Sequence, residues 1–250
     1  MAENHDAGNV ERIKTGILGL DGMLYGGIPK GNQVLIAGGP GSGKTLLAFQ
    51  ILYNNAKAGI PGTFIALEEE PEDVVKNAKN AFTDFTDIDE LLQKHTLQVD
   101  GEDPAARIQH GGGEGAEEYS FGNVVSEIEA LISNNSSKIV VIDSVSLLRL
   151  MLGADTFTYR RSLLALVANL KRLGVTAILT VEMESLERRE ARFAGEFFMF
   201  DGVITMYQNG EAEKRSLNIE IVKMRSTNHS WALAPYEIGA AGFKVFTIEE

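Results

Sequence analysis

The fold is decided by the stretch Val34-Leu-Ile-Ala-Gly-Gly-Pro-Gly-Ser-Gly-Lys-Thr-Leu-Leu-Ala48. Four residues separate Gly38 from Gly43, and Lys44 and Thr45 follow at once, which is the spacing of a Walker A loop. The glycines let backbone N–H groups converge on phosphate oxygens, and the helix that begins near Lys44 points the positive end of its dipole at them. The apolar run before the loop and the helical pattern after it supply the required strand–loop–helix order. The sequence therefore predicts a nucleotide phosphate site.

The residues that end this loop suit a nucleoside triphosphate and a metal ion. We expect Lys44 to reach the β- and γ-phosphates of the nucleotide and the Thr45 hydroxyl to be a ligand of Mg²⁺. The other phosphate contacts expected from the loop and the first helical turn are Gly39, Gly41, Ser42, Gly43 and Leu46.

The composition permits one large α/β domain and excludes several kinds of site. The chain has 250 residues, of which 44% are hydrophobic, enough for a continuous core. It has no cysteine, which excludes disulfides, thiol nucleophiles and Cys-based metal sites and suits a cytoplasmic protein. The apolar runs are short and bounded by charges, so neither a signal peptide nor a membrane span is visible. The net charge of −12 opposes attraction to nucleic acid phosphates and anionic lipid.

Glutamates follow the apolar run Thr63–Leu67, which we expect to form a buried strand. Ligands of open α/β sheets bind at the carboxyl ends of the strands. Glu68 and Glu69 would therefore leave the strand beside the phosphate loop, and we expect them to be catalytic. Glu70 and Glu72 are expected to be ordinary charges at the N-terminus of the next helix.

A lone carboxylate, Asp143, ends four consecutive apolar residues, Ile139–Ile142. Such a run predicts a strand buried on both faces, and with its aspartate it has the Walker B form. At the sheet edge Asp143 would hold Mg²⁺ opposite Thr45, because the ion needs an ionised carboxylate at a fixed depth. The alternative role for Asp143 is a cap for the next segment.

The order of strand and helix patterns predicts the architecture. Strands alternate with helices as far as Glu182, which indicates a mainly parallel central sheet flanked by helices. After Gly202, strands without intervening helices predict an antiparallel extension at one edge of the sheet. These strands are Val203–Tyr207, Ser216–Val222, Trp231–Ile238 and Phe243–Ile248. We expect a flexible N-terminal tail over residues 1–14 and one domain over residues 15–250.

Two other segments have weaker functional signals. A glycine-rich loop is predicted from Asp100 to Gly122, a length typical of functional or disordered segments. His110 within it has no paired ligand nearby, which favours a solvated histidine over a metal ligand or base. The cluster Arg188–Arg192 mixes charges, which favours a solvated helix face over a nucleic acid patch.

The motifs of the chain occur in a fixed order. They are Thr15-Gly-Ile-x-Gly-Leu-Asp21, Gly26-Gly-Ile-Pro29, the Walker A loop, the pair Glu68-Glu69, the Walker B strand, and Lys223-Met-Arg225 followed by Thr227 and His229. This set resembles the KaiC branch of the RecA-fold ATPases over almost the whole chain. The resemblance implies a RecA-like P-loop NTPase fold and slow hydrolysis of ATP.

The resemblance also implies roles for individual residues. Glu68 would correspond to the base that activates the attacking water, with Glu69 as its companion, and Asn80 falls where the family has a polar nucleotide contact. The residues that would reach ATP from the neighbouring subunit of a hexameric ring are Lys223, Met224, Arg225, Thr227 and His229. In support, Lys223 and Arg225 share one face of a strand, which suits trans-acting phosphate ligands. A pair of surface cations on an edge strand is the alternative.

Two departures from the family's clock proteins limit the resemblance. Those proteins carry two such domains, whereas this chain has room for one, so it resembles the single-domain archaeal-type relatives. The autophosphorylating half of a clock protein has adjacent Ser and Thr where this chain has Phe197-Phe198, so autokinase activity is not expected.

The leading interpretation is an ATPase whose nucleotide state controls a ring assembly or a partner protein that the sequence does not identify. One alternative is a recombinase paralog that binds single-stranded DNA in a ring channel, which the overall acidity disfavours. Another is a non-hydrolysing, nucleotide-gated scaffold.

Overall fold

The computed structural model describes residues 10–101, 121–151, 156–183, 187–188, 195–209 and 216–247. The strands in these ranges are β1 (Arg12–Ile13), β2 (Ile28–Pro29), β3 (Gln33–Gly38), β4 (Gly62–Ala66), β5 (Leu97–Gly101), β6 (Ile139–Asp143), β7 (Thr176–Glu182), β8 (Gly202–Asn209), β9 (Ser216–Met224), β10 (Ala234–Gly239) and β11 (Gly242–Val245). The helices are α1 (Leu18–Met23), α2 (Lys44–Lys57), α3 (Pro71–Ala81), α4 (Ile88–Gln93), α5 (Phe121–Asn134), α6 (Val145–Met151) and α7 (Thr156–Arg172), with a 3-10 turn at Gly195–Met199.

Most of the strands form one mixed sheet in the order β11-β10-β9-β8-β3-β7-β6-β4-β5. The pairs from β5 to β8 are all parallel, and those from β8 to β11 are antiparallel. This arrangement confirms the predicted mainly parallel sheet with an antiparallel C-terminal part. The first strand of the predicted antiparallel extension is not antiparallel to the central strands, because β8 lies parallel to β3. The connection between β7 and β8 is long enough for a crossover, which a parallel neighbour requires.

The core lies on both faces of this sheet. Leu35 and Ile36 are neighbours on β3, yet they belong to different buried clusters, because successive side chains of a strand point to opposite faces. Leu47 of α2 packs on the Ile36 side, and Leu163 of α7 packs on the Leu35 side. Helices therefore cover both faces, which explains why the central strands are apolar without alternation.

The N-terminal boundary of the fold lies earlier than the sequence predicted. β1 pairs with β2, Ile13 is only 5% exposed, and the Lys14 carbonyl accepts a hydrogen bond of 2.9 Å from Asn55 Nδ2. Residues 12–14 are thus part of the packed structure and not of the expected tail over residues 1–14. The stretch was too short to show a periodic pattern, and its burial comes from partners distant in the chain.

Other boundaries shift by a few residues. The strand expected from Trp231 begins at Ala234, and α6 has no counterpart among the predicted elements. Most of the predicted loop from 100 to 122, with His110, lies outside the described residues, as do Arg189 and Arg192. No helix in the described part of the chain is long and apolar enough to cross a membrane.

Candidate functional site

The predicted phosphate loop connects β3 to α2 at the carboxyl edge of the sheet. Gly41 and Gly43 have φ angles of 74° and 88°, a conformation that residues with a Cβ rarely adopt. At Gly38 a Cβ would lie 2.7 Å from the carbonyl oxygen of Met206 on the neighbouring strand. The Ser42 hydroxyl donates a 2.8 Å hydrogen bond to the Gly39 carbonyl and closes the turn. Glycine is therefore required at the positions that the motif specifies.

Two side chains from the C-terminal strands hold the loop from outside. Gln208 Nε2 on β8 donates to the Pro40 carbonyl at 2.9 Å, and the Tyr236 hydroxyl on β10 donates to the Ser42 carbonyl at 2.6 Å. Sequence reasoning missed both residues, because only the strand order places β8 and β10 beside the loop. The C-terminal strands thus support the phosphate loop.

Lys44 lies buried at the start of α2. Its Nζ donates a 3.0 Å hydrogen bond to the Gly39 carbonyl, so the ammonium group points into the loop. Burial lowers the pKa of Lys44, while the carboxylates of Glu182, Asp143 and Glu68 act in the opposite direction. The cation is thus placed where phosphate oxygens bound in the loop would meet it.

The two expected magnesium ligands contact each other. Thr45 Oγ1 donates to Asp143 Oδ2 at 2.8 Å, and the Thr180 hydroxyl donates to Oδ1 of the same carboxylate. Burial raises the pKa of Asp143, and the two hydroxyl bonds and Lys44 favour its ionised form. A hydroxyl and a carboxylate oxygen fit Mg²⁺, which binds few protein ligands together with phosphate oxygens and water. No cluster of three or more His, Cys, Asp or Glu suited to a metal occurs among the described residues.

The two glutamates after β4 point to different places. The Glu68 carboxylate accepts a hydrogen bond from the Ser144 hydroxyl, next to Asp143. Although Glu68 as a residue is exposed, its carboxylate lies deep enough at the strand end for burial to raise its pKa. Glu69 instead accepts a 3.1 Å hydrogen bond from Asn77 on the exposed surface of α3. The structure brings Glu68, but not Glu69, into the group around the loop.

The segment Lys223–Arg225 lies at the opposite edge of the sheet from the loop of its own subunit. Met224 pairs with Gly202, and Gly202 pairs with Val34 at the beginning of β3. Val34 is four strand residues, about 13 Å, from Gly38 at the loop. Lys223 and Arg225 therefore cannot be phosphate ligands of their own loop.

The two cations of this segment lie at the carboxyl end of β9, Lys223 within the strand and Arg225 one residue beyond it. Lys223 Nζ donates to the Phe197 carbonyl and Arg225 Nη2 to the Phe198 carbonyl, each at 3.4 Å. Arg225 also lies 3.6 Å from Oδ1 of the buried Asp201. Burial lowers the pKa of Lys223, and the charge of Arg225 lowers it further. These long contacts leave the cations able to bind something else.

The other residues predicted to act in trans have different exposures. The side chain of Met224 is 4% exposed and packs against Gly202, so a contact to nucleotide would come from its backbone. The His229 ring is buried, with its centroid 4.5 Å from that of Trp231. Thr227 Oγ1 accepts a hydrogen bond from Arg12.

Asn80 lies away from the phosphate loop. It is exposed near the end of α3 and lines a groove of about 480 Å³ with Val75 and Val99. Because α3 begins at the carboxyl edge and runs away from it, nine residues place Asn80 about 14 Å along the axis from Pro71. No described hydrogen bond joins Asn80 to the loop.

The order of these motifs along the chain matches a known family. The family model described as "ATPase: KaiC" matches residues 13–250. The chain belongs to the KaiC family. Among curated relatives, the circadian clock oscillator protein KaiC of Picosynechococcus sp. is 34% identical over 240 residues, which are 96% of this chain and 45% of the relative. The same protein of Synechococcus elongatus is 31% identical over 240 residues, again 96% of this chain and 45% of the relative.

The chain thus spans less than half the length of the curated KaiC proteins that it matches. A solved structure of similar length is the KaiC-like protein of the hyperthermophilic archaeon Pyrococcus horikoshii. It has a TM-score of 0.79 and 30% identity to this chain, with 95% of this chain and 100% of that one covered. These similarities confirm the predicted KaiC-like relationship of the archaeal type and the RecA-type fold.

Proposed function

We propose that this KaiC-family chain hydrolyses ATP with Mg²⁺ as a cytoplasmic homo-hexamer that binds one ATP at each subunit boundary. The observation that carries the proposal is the convergence of Lys44, the Thr45–Asp143 pair and Glu68 around one glycine-rich loop. A nucleoside triphosphate needs a backbone cradle, a cation, metal ligands and a base for water, and this edge offers all of them.

The chemistry follows from these positions. Loop N–H groups, including those of Gly41, Gly43 and Leu46, would bind the phosphates, and Lys44 would bridge the β- and γ-phosphates. Bound Mg²⁺ would neutralise charge on the same phosphates. Water would attack the γ-phosphorus and give its proton to Glu68, while the bond to the β–γ bridging oxygen breaks and ADP leaves. A base whose pKa is raised toward neutral pH accepts a proton more readily.

The opposite edge supplies the second half of the proposal. Lys223 and Arg225 face away from their own loop, so a neighbouring copy in a ring is where they would meet phosphate charge. Such a trans-acting arginine stabilises the transition state of phosphoryl transfer. The Met224 backbone, Thr227 and His229 would complete this face of the neighbour's site, and Asn80 would contact the nucleotide away from the phosphates. The nucleotide state would then control the ring or a partner bound to it.

Other activities have less support. Autokinase activity is not proposed, because Phe197 and Phe198 occupy the positions of the hydroxyl residues. Binding of single-stranded DNA would need free cations, yet Arg188 donates two hydrogen bonds to Glu220, at 2.8 and 2.6 Å. A DNA titration at several salt concentrations would test that alternative. A scaffold that binds ATP without hydrolysis would release no phosphate.

Mixing two inactive variants tests the proposal. Arg225→Ala removes the trans arginine and Glu68→Gln removes the base, so each variant alone should lose most of its turnover. For Arg225→Ala the expected fall in turnover is about a thousandfold. Mixed rings contain boundaries where wild-type Glu68 of one subunit meets wild-type Arg225 of the next. We therefore expect phosphate release to recover part of the wild-type rate on mixing.

Subunit exchange, followed with fluorescently labelled protein, is the control for this experiment. Absence of recovery at every mixing ratio, with exchange verified, would remove the trans arginine. A monomer by light scattering in ATP–Mg²⁺ would contradict the ring itself.

A further inference from the structure

Arg12 joins the N-terminal strand to the segment that carries the trans-acting residues. Its guanidinium donates from Nη2 to Thr227 Oγ1 at 2.7 Å. From Nη1 it donates to the carbonyls of Gly27 at 3.1 Å and Leu24 at 3.4 Å. One partly buried side chain therefore connects three chain segments that are distant in sequence.

The segment from Arg225 to Ser230 has to be held in place. Ser226 has a φ of 65°, a strained conformation for a residue other than glycine, which persists only where the surroundings fix it. The Arg225 carbonyl accepts from Asn32 Nδ2 at 3.1 Å, and the Ser230 N–H donates to the Met23 carbonyl at 2.8 Å. Between these two anchors, the Arg12 bond is a side-chain contact that fixes Thr227.

The chain just after Arg12 is attached to the helix that follows the phosphate loop. The carbonyls of Lys14 and Thr15 accept hydrogen bonds of 2.9 Å from Asn55 and Asn54, near the end of α2. β1 also pairs with β2, and Ile13, the residue after Arg12, is buried. The backbone that carries Arg12 is therefore fixed, and its guanidinium is held by the carbonyls of Gly27 and Leu24.

We propose that Arg12 is a positioning residue for the Arg225–His229 segment: it holds Thr227 so that Arg225 meets the nucleotide of the neighbouring subunit. The inference rests on the proposed trans arrangement and adds a residue outside the motifs of the sequence. A planar guanidinium suits the task, because its fork reaches the Thr227 hydroxyl and the Gly27 carbonyl from fixed directions. Lysine has the same charge but lacks this geometry.

The first measurement is turnover of Arg12→Ala and Arg12→Lys. We expect about a ten- to hundredfold fall in kcat for both, because small displacements of a catalytic group are costly. Thermal unfolding of each variant shows whether the chain remains folded at the assay temperature. Wild-type turnover in Arg12→Lys, which lacks the fork, would overturn the proposal.

Mixing then shows on which side of the boundary Arg12 acts. Arg12→Ala mixed with Glu68→Gln should recover activity, because some boundaries join wild-type Glu68 to a neighbour with wild-type Arg12 and Arg225. Arg12→Ala mixed with Arg225→Ala should not recover, since every boundary then has one defect on the arginine side. Recovery in the second mixture would place Arg12 with the phosphate loop of its own subunit and overturn the inference.

The reference mixture, Arg225→Ala with Glu68→Gln, separates this failure from failure of the proposed function. No recovery in the reference mixture would remove the trans site and the role of Arg12 together. Recovery in the reference mixture and also in Arg12→Ala with Arg225→Ala would remove only Arg12.

A double-mutant cycle tests whether Arg12 acts through Thr227. Thr227→Val removes the acceptor hydroxyl, and Thr227→Ser is the matched variant that retains it. Arg12→Lys should lower kcat much less in the Thr227→Val background than in the Thr227→Ser background. Equal losses in the two backgrounds would show a general structural role and contradict the proposal.

Discussion

The central sheet differs between the carboxyl ends of its parallel strands, called the carboxyl edge, and their amino ends, called the amino edge. At the carboxyl edge, Lys44, Thr45, Asp143 and Glu68 are each hydrogen-bonded to the loop or to a neighbouring strand end. At the amino edge, the guanidinium of Arg225 is more than half exposed, and the contacts described for it are 3.4 and 3.6 Å long. The side chains at the carboxyl edge form a hydrogen-bonded group, whereas the positive charge of Arg225 at the amino edge is exposed.

This difference indicates what each edge needs. A nucleotide bound at the carboxyl edge would find its phosphate cradle, cation, metal ligands and base within one chain. Cations at the amino edge would act only when another molecule brings negative charge to them, and in the proposed ring a second copy of the chain would do so with its bound ATP. Substitutions at the first edge should therefore damage the subunit that carries them, and those at the second edge should damage its neighbour.

The largest effect is expected for the base at the carboxyl edge. Glu68→Gln should lower turnover by about two or more orders of magnitude and leave ATP affinity nearly unchanged, because a base acts in the transition state. Phosphate release and calorimetric titration measure the two quantities. Glu69→Gln should cause a smaller loss, since Glu69 contacts Asn77 outside the site. The reverse order of the two losses would assign the base to Glu69.

A smaller effect, on binding, is expected for the loop cation. Lys44→Ala should weaken ATP binding by about ten- to a hundredfold, the value of one or two charge-assisted hydrogen bonds, while the backbone cradle remains. Calorimetry measures the affinity. Lys30→Ala is the control, because Lys30 is a surface cation paired with Glu11. Equal affinities for wild type and Lys44→Ala would show that nucleotide does not bind in this loop.

The sequence predicted where Lys44, Thr45, Asp143 and Glu68 lie for a physical reason. Residues of a phosphate loop act through local backbone geometry, so their spacing in the chain is also their spacing in space. Asp143 and Glu68 followed from the rule that ligands bind where parallel strands end. Their positions required only that both strands be parallel to β3, which alternation with helices already indicated.

The rest depended on contacts between distant segments. Gln208 and Tyr236 hold the loop only because β8 lies beside β3 and the C-terminal strands follow it. Thr180 contacts Asp143 from an adjacent strand, and Arg12 lies in a two-residue strand that has no periodic pattern. Such residues have no local signature, because the partner that gives them a role is set by strand order.

The smallest effect is expected for Lys171, and it separates structural from trans-acting cations at the amino edge. Lys171 Nζ lies 2.8 Å from Asp201 Oδ1, the same oxygen that Arg225 approaches at 3.6 Å. Lys171→Met should lower the free energy of unfolding by about 1 kcal/mol or less, because the lysine is partly exposed. Asp201 is not left without partners, since Oδ2 still accepts from the Gln33 N–H at 3.0 Å.

Urea denaturation measures this change, and phosphate release should stay within about twofold of wild type, as for other surface substitutions. Arg225→Ala removes a cation from the same carboxylate, so its effect on stability should be of similar size. Its turnover, however, should be largely lost. If Lys171→Met lowers turnover as strongly as Arg225→Ala, the ion cluster around Asp201 acts as a structural unit. The special role of Arg225 at the boundary would then have to be abandoned.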